Sequence, residues 1–408
     1  MCLFILLFFC YFSKLISKKL KLPLILIAPF IWTSLELLQT YLMTGFPWLF
    51  LGYSQYLNLP LLQITTVTGI YGLSFIIVLF NCILVSLYQK KNYLISFLGI
   101  GVILVLFIIG SIIIPCTTSK KSLCVGVLQP NAEKDNITIE QIQENFKTYF
   151  LLSEKLAKQK AKFIVWPETA ILSFLAYDPE TNTSLCKMAQ KYNLELIVGS
   201  VHQENKNYYN SAFLISEKGL LDRYDKTHLV PFGEYILGRK YIPWISSKLD
   251  LSDFTSGSSY NVLKGNIAST GTLICFESIF PNIARNFVKK DALFLCNITN
   301  DAWFGKTAAP YQHALMSIFR AAENRVPLVR SANTGVSLII DAGGRIITQT
   351  QIFKKTILKA NIFFFPQKTF YTKFGDIFAF CCLFISILLI IISYKKITLH
   401  KIKEKSNA

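Results

Sequence analysis

The sequence is short of acid. Its 408 residues hold 24 Asp and Glu against 42 Lys and Arg, a net charge of +18. Histidine is scarcer still, with four residues at 202, 228, 313 and 400 that lack metal-ligand spacing. The ten cysteines include no Cys-x-x-Cys pair. These absences exclude the familiar zinc frameworks, so neither a metal nor a cofactor is expected. Charged residues make up only 16% of a chain that is 52% apolar, which excludes an ordinary soluble protein. No basic-aromatic module accompanies the positive charge, so nucleic acid is not expected as a partner. The apolar segments show no internal repeat, which argues against a transporter.

What is present is a set of long apolar runs with lysines at their ends. Residues 24 to 42, 61 to 87, 94 to 115 and 374 to 394 read as membrane helices, and residues 1 to 16 as a marginal one, short of the roughly 20 residues a span needs. That first run has no preceding basic stretch and no small-residue cleavage site, so it does not read as a signal peptide. Lysines 14, 18, 19, 21, 90, 91, 395, 396, 401, 403 and 405 lie between or beyond the runs, opposed only by Glu36, Asp376 and Glu404. Excess lysine marks the cytoplasmic side and favours anionic lipid. Alternating spans then put residues 43 to 60 and the polar middle on the opposite face. Met1 would start on that face too, as if an odd number of helices were missing upstream. The loop 43 to 60 is unusually aromatic, with Trp48, Tyr53 and Tyr56; it reads either as an interfacial anchor or as a rim for lipid entry. Cys381 and Cys382 fall inside an apolar run and read as lipid-facing or packing residues.

The polar middle alternates strand-like and helix-like segments. Strands are expected at 123–129, 162–167, 195–201, 211–216, 271–276, 292–298, 327–332 and 336–341, and helices at 139–157 and 311–325. Gly343-Gly344 marks a turn. This is one α/β domain inserted before the last membrane helix. The expected boundaries are a helical region at 1–117, the α/β domain at 118–368, a final span at 369–394 and a basic tail at 395–408.

Three polar residues end or follow apolar strands. Glu168 closes Phe-Ile-Val-Trp-Pro-Glu, Lys226 sits in Asp-Lys-Thr-His-Leu-Val-Pro-Phe-Gly-Glu, and Cys275 ends Thr-Leu-Ile-Cys just before a helix-like segment through Phe287. A helix start or a nearby cation lowers a thiol pKa. A carboxylate, an ammonium and a thiol make an acyl-transfer site: general base, oxyanion partner and nucleophile. Each also has a plain reading. Cys275 also reads as a buried structural cysteine, Glu168 as a loop acid and Lys226 as a surface partner of Asp225. His228 offers a Cys-His pair as another activation route, although a structural role is the expectation. The segment 235 to 260, with Tyr241 and Trp244, is long and apolar enough for a lid, or else an ordinary surface loop.

Trp166-Pro167-Glu168, the Lys226 stretch and Cys275-Phe276-Glu277 resemble the three catalytic motifs of the nitrilase superfamily. Leu-x-Thr-Gly-Phe-Pro-Trp-Leu from Leu42, Lys226-x-His-Leu-Val-Pro-Phe-Gly-Glu234, Asn300-Asp-Ala-Trp-Phe-Gly305, Gln312-His313 and Arg330-Ser-x-Asn-x-Gly335 narrow the resemblance to the bacterial apolipoprotein N-acyltransferase family. It covers residues 1 to 394. The resemblance implies a nitrilase-like αββα sandwich between membrane helices, on the periplasmic side of the inner membrane. It implies Glu168 as base, Lys226 as oxyanion partner and Cys275 as nucleophile. Glu234 and Glu277 would support them, and Phe276, Trp303, Trp48, Trp244 and His313 would meet substrate. It further implies a phospholipid acyl donor, phosphatidylethanolamine, and an apolipoprotein acceptor, in a protein expected to be a monomer. Family members carry about three more helices before the segment matching Met1 to Ser17, and often a Lys-Trp pair after Gln129-Pro130-Asn131, where this chain has no Trp. A membrane-tethered nitrilase-type amidohydrolase and an inactive shortened remnant are the alternatives.

Overall fold

The computed structural model describes residues 2–115, 121–133, 138–236, 253–365 and 367–406. The chain divides into two compact units. Met1–Ile114 with Lys373–Ala408 forms one, and Pro115–Thr372 the other.

The first unit is helical: α1 (Cys2–Leu20), α2 (Ala28–Tyr41), α3 (Ile70–Tyr88), α4 (Tyr93–Ile113) and a last helix, Ile377–Ser406. Among the described residues, four helices are long and apolar enough to cross a membrane, at Leu24–Tyr41, Ile70–Tyr88, Tyr93–Ile113 and Ile377–Lys396. α1 is helical throughout but carries Lys14, Lys18 and Lys19 towards its end, so it is not among them. α4 is apolar on every side and exposes Leu94, Phe97, Val102, Val105 and Ile112, as a lipid-facing helix does. The run expected as one helix over 61–87 is broken. Gly69 takes φ +64°, a conformation that favours glycine and ends the turn Thr65–Thr68, so the long helix starts at Ile70.

Polar side chains on α2 fix the aromatic loop. Glu36 Oε1 accepts from the Leu51 amide at 3.0 Å and from Trp32 Nε1 at 2.8 Å. Gln39 Nε2 donates to the Phe46 and Trp48 carbonyls at 2.8 and 3.3 Å. Satisfying backbone groups this way is obligatory where water is scarce.

The second unit is an αββα sandwich. Its strands are β1 (Ser122–Gln129), β2 (Phe163–Val165), β3 (Glu195–Glu204), β4 (Asn207–Ser216), β5 (Gly219–Asp225), β6 (Leu263–Lys264), β7 (Ser269–Ile274), β8 (Phe294–Thr299), β9 (Leu328–Ala332), β10 (Leu338–Ile340), β11 (Ile346–Gln349) and β12 (Thr356–Phe363). Among the described residues they form two six-stranded sheets, ordered β12-β1-β2-β3-β4-β5 and β11-β10-β9-β8-β7-β6. β1, β2 and β3 run parallel, as do β7, β8 and β9, and antiparallel strands flank each trio. Helices α5 (Ile139–Lys158) and α6 (Pro179–Tyr192) cover the first sheet, where Tyr149, Leu156, Leu185 and Met188 join its core. α7 (Pro281–Lys289) and α8 (Ala309–Asn324) cover the second. Between the sheets Phe163 meets Phe294 edge-on at 5.1 Å. α5 starts at a reciprocal cap, Thr138 with Gln141.

The expected strands and both expected helices are present, with shifted ends. α6 and strands β5, β6, β11 and β12 are additions. β5, Gly-Leu-Leu-Asp-Arg-Tyr-Asp, is half-buried and polar, so its sequence carries little alternation. β12 is held by eight antiparallel pairs with β1, more than 200 residues away in the chain, which no local pattern encodes. The helix expected directly after Cys275 is instead a 3₁₀ turn, Cys275–Ile279, and α7 begins only at Pro281.

Candidate active site

Parallel strands bring their carboxyl ends to one edge of each sheet, and that edge is where α/β folds place their chemistry. Glu168 follows β2, Cys275 follows β7, and Asn300 and Asp301 follow β8.

The turn holding Glu168 is built from below. Trp166 is buried, stacks on Tyr149 at 4.9 Å and donates from Nε1 to Ser153 Oγ at 2.8 Å. On its other side Gly199 of β3 approaches so closely that a Cβ there would lie 2.5 Å from the Pro167 carbonyl oxygen. Glu168 itself is 7% exposed. Its Oε1 accepts from Asn210 Nδ2 and its Oε2 from the Asn300 amide, both at 2.8 Å.

Lys226 leaves the end of β5 and is 1% exposed. Its Nζ lies 2.9 and 2.8 Å from the two oxygens of Glu234 and 3.8 Å from Glu168 Oε1. Burial alone would lower its pKa; Glu234, Glu168 and Cys275 outweigh burial and hold it above the ordinary lysine value. It is a fixed cation. Asn210 Nδ2 also donates to Glu234 Oε1 at 3.0 Å, so one amide ties the two carboxylates together.

Cys275 has φ +51°, a left-handed conformation that is costly for a residue with a Cβ. Burial and the Glu168 carboxylate push its thiol well above the usual value, against the pull of Lys226. The expectation that a helix start depresses this pKa is therefore corrected: the helix is absent at that position, and desolvation prevails. The resting group is a thiol.

Glu277 explains how the Lys226 loop and the Cys275 turn stay in register. Its carboxylate is fully buried. Oε1 accepts from Tyr224 Oη (2.7 Å), Thr227 N (2.8 Å), Thr227 Oγ1 (2.9 Å) and His228 N (3.1 Å), while Oε2 accepts from Ile274 N (2.8 Å). Burial pushes its pKa up, and these donors act against that push. His228 points its ring at Phe280, 4.0 Å between centroids, and at Phe276.

Behind Cys275 lies a second network. His313 is 1% exposed. Its Nε2 is 3.2 Å from the Cys275 carbonyl and 3.0 Å from Ser278 Oγ, and its Nδ1 is 2.9 Å from Asp301 Oδ1. Arg330 Nη2 donates to Asp301 Oδ2 at 2.8 Å, and Nη1 donates to Asn297. Burial would raise the Asp301 pKa, but Arg330 and His313 hold it well below the carboxylate range. Burial and Arg330 keep His313 low.

The residues expected at substrate are spread. Trp303 is 87% exposed at the mouth of a 740 Å³ cavity lined also by Asn131, Glu144, Asn300 and Asn333. Phe276 is partly buried against Phe280, and His313 sits under the turn that carries the thiol rather than at its surface. Trp48 belongs to the helical unit, 8% exposed and stacked on Phe46. Trp244, with 237–252 of the expected lid, lies outside the described residues. Asn210 was not singled out from sequence: an Asn mid-strand carries no signal until its neighbours are known. Asp301 and Arg330 stood inside quoted motifs, but without an assigned role.

Residues 124–364 match the carbon-nitrogen hydrolase family, and residues 1–83 match the apolipoprotein N-acyltransferase N-terminal domain. The chain is 35% identical over 400 residues to the apolipoprotein N-acyltransferase of Geobacter metallireducens, covering 94% of this chain and 77% of that one. It is 32% identical to the enzymes of that name from Rickettsia prowazekii (89% of this chain, 75% of that one) and Wigglesworthia glossinidia brevipalpis (95% and 78%).

Proposed function

The chain belongs to the apolipoprotein N-acyltransferase family, and from that premise we propose that it moves an acyl chain from a phospholipid to the α-amine of a diacylglyceryl-cysteine at the N-terminus of an apolipoprotein. Glu168, Lys226 and Cys275 carry the chemistry. As the thiol attacks the ester carbonyl of the donor, Glu168 takes its proton. The oxyanion that forms is stabilised by the fixed Lys226 ammonium. Collapse breaks the ester bond; the departing lysophospholipid oxygen takes the proton from Glu168, and Cys275 is left as a thioester. The acceptor amine then attacks that thioester and gives a proton to Glu168. The amide forms, the thiolate leaves, and Glu168 returns the proton to it.

The observation that carries this reading is the buried Lys226, held by Glu234 with Glu168 at 3.8 Å. A thiol kept protonated in the same site needs a base that acts during attack. Phosphatidylethanolamine is the proposed donor, and the inner membrane with the 118–368 domain on the periplasmic side is the proposed location. Glu234 and Glu277 position Lys226 and the Cys275 turn, and His313 braces that turn. Phe276, Trp303, Trp48 and Trp244 are proposed substrate contacts in a monomeric enzyme. The match of residues 1–83 disfavours an amidohydrolase acting on a soluble amide.

The test is intact-mass analysis of the purified chain mixed with phosphatidylethanolamine. A mass increase equal to one acyl chain, reversed by hydroxylamine and absent from Cys275→Ala, is the expected outcome. A folded native chain that forms no adduct would sink the proposal.

A further inference from the structure

The two connections at one end of the helical unit flank an open cavity. It has a volume of 360 Å³ and lies between Ser17–Ile25, which joins α1 to α2, and Cys82–Asn92, which joins α3 to α4. Lys21, Lys91, Gln89 and Asn92 line its polar part, all exposed, while Leu24 and Val85 give it an apolar wall. Both turns are fixed by buried or half-buried hydroxyls: Ser17 Oγ donates to the Leu22 carbonyl at 2.9 Å and Ser86 Oγ to the Lys91 carbonyl at 2.7 Å. Lys21, Lys90 and Asn92 lie in the left-handed region, at φ +57°, +56° and +52°.

Within residues 1–115 the charge has a single carboxylate to answer it. Lys14, Lys18, Lys19, Lys21, Lys90 and Lys91 fall on or beside these connections, and Glu36 is the one carboxylate in residues 1–115. Glu36 lies about 12 Å further along α2 by helix rise, and it is bonded to Trp32 and Leu51. The carbonyl ends of α1 and α3 supply about half a negative charge each, too little for six lysines. The 21-residue α4 adds the opposite sign, because it starts at Tyr93 and the side chain of Asn92 before it does not cap its first amides. Membrane topology alone asks for lysines near helix ends. It does not ask for a cavity with cations and free amides on one side and aliphatic side chains on the other.

We propose that this cavity binds an anionic phospholipid. Its phosphodiester sits between Lys21, Lys91 and the start of α4, and its acyl chains run along Leu24 and Val85. The site shares no residue with the Glu168, Lys226 and Cys275 site. It would hold a lipid that is not consumed.

The test is native mass spectrometry of the full chain in detergent, titrated with phosphatidylglycerol and with phosphatidylethanolamine. Phosphatidylglycerol should bind in preference. The pair Lys21→Gln with Lys91→Gln should weaken it by about tenfold or more, from the attraction each lysine exerts on anionic lipid. The pair Lys14→Gln with Lys18→Gln, equal in charge but outside the cavity, should leave it nearly unchanged. The pair Lys21→Arg with Lys91→Arg should retain it. Soluble glycerol phosphate should fail to compete, having no chains for the apolar wall. Equal binding of the two lipids, equal loss in both Gln pairs, or displacement by glycerol phosphate would each overturn the proposal. If the cavity Gln pair does not fold, the lipid preference and the competition still decide it.

Discussion

Cys275 shows how far a residue's neighbours override its type. It has the position of a nucleophile, but the surroundings protonate it: desolvation and the Glu168 carboxylate act against ionisation and outweigh Lys226 and Thr299, which favour it. A free thiol titrates near pH 8.5, as a rough reference. With the folded pKa above that, the thiolate fraction of Cys275 should still be rising across the neutral and mildly alkaline range. Alkylation by iodoacetamide, followed at the Cys275 peptide, should therefore speed up steadily from about pH 7 to 9 without levelling off. A plateau below pH 7 would mean a preformed thiolate and would contradict proton transfer to Glu168 during attack.

At the scale of elements, the site is a set of strand ends locked by buried carboxylates. Glu277 ties the Cys275 turn to the Lys226 loop, and Asp301 ties the end of β8 to Arg330 on β9 and His313 on α8. Replacing Asp301 by Asn leaves Arg330 buried without its counter-charge, a change that costs about 3–5 kcal/mol in comparable buried pairs. The variant should show a clearly lower apparent Tm in detergent; an unchanged Tm would refute this role. The pH dependence has a definite sign. The Asp301 pKa is lower folded than unfolded, so its contribution is complete above the unfolded value of about 3.9 and is lost as pH falls towards the folded one. The native chain should lose stability on acidification below about pH 4, and Asp301→Asn should lose less over that interval.

At the scale of the whole molecule, the chain is a membrane protein with a nitrilase-type α/β unit set between apolar helices. It should stay in the membrane pellet through alkaline carbonate washing and be released only by detergent; release by carbonate would rule out spanning helices. Composition and the apolar runs were enough to anticipate the membrane helices, whereas the nitrilase-type unit was implied by the resemblance of its motifs. Long apolar runs have few structural uses, and their lengths match a bilayer. The positions of Glu168 and Cys275 were legible for a similar reason: each ends or follows an apolar strand, and a polar group there lies at the edge of a sheet whatever its partners are. Lys226 follows the polar strand β5 and was legible only through the resemblance of its motif. The partners themselves were not legible. Asn210 joins Glu168 to Glu234 because β4 lies beside β3, and Glu277 reaches Tyr224, Thr227 and His228 across 49 to 53 residues of chain. Strand β12 exists because β1 offers it an edge. The thiol's protonation state, the bracing of its turn by His313 and the lysine-lined cavity at the helix ends depend on distances between segments remote in sequence. Residue types and local periodicity set which groups were available and which face of each element they occupied. Only the tertiary structure decided their dielectric surroundings and their partners, because burial and Coulomb interactions depend on separation in space and not on order along the chain.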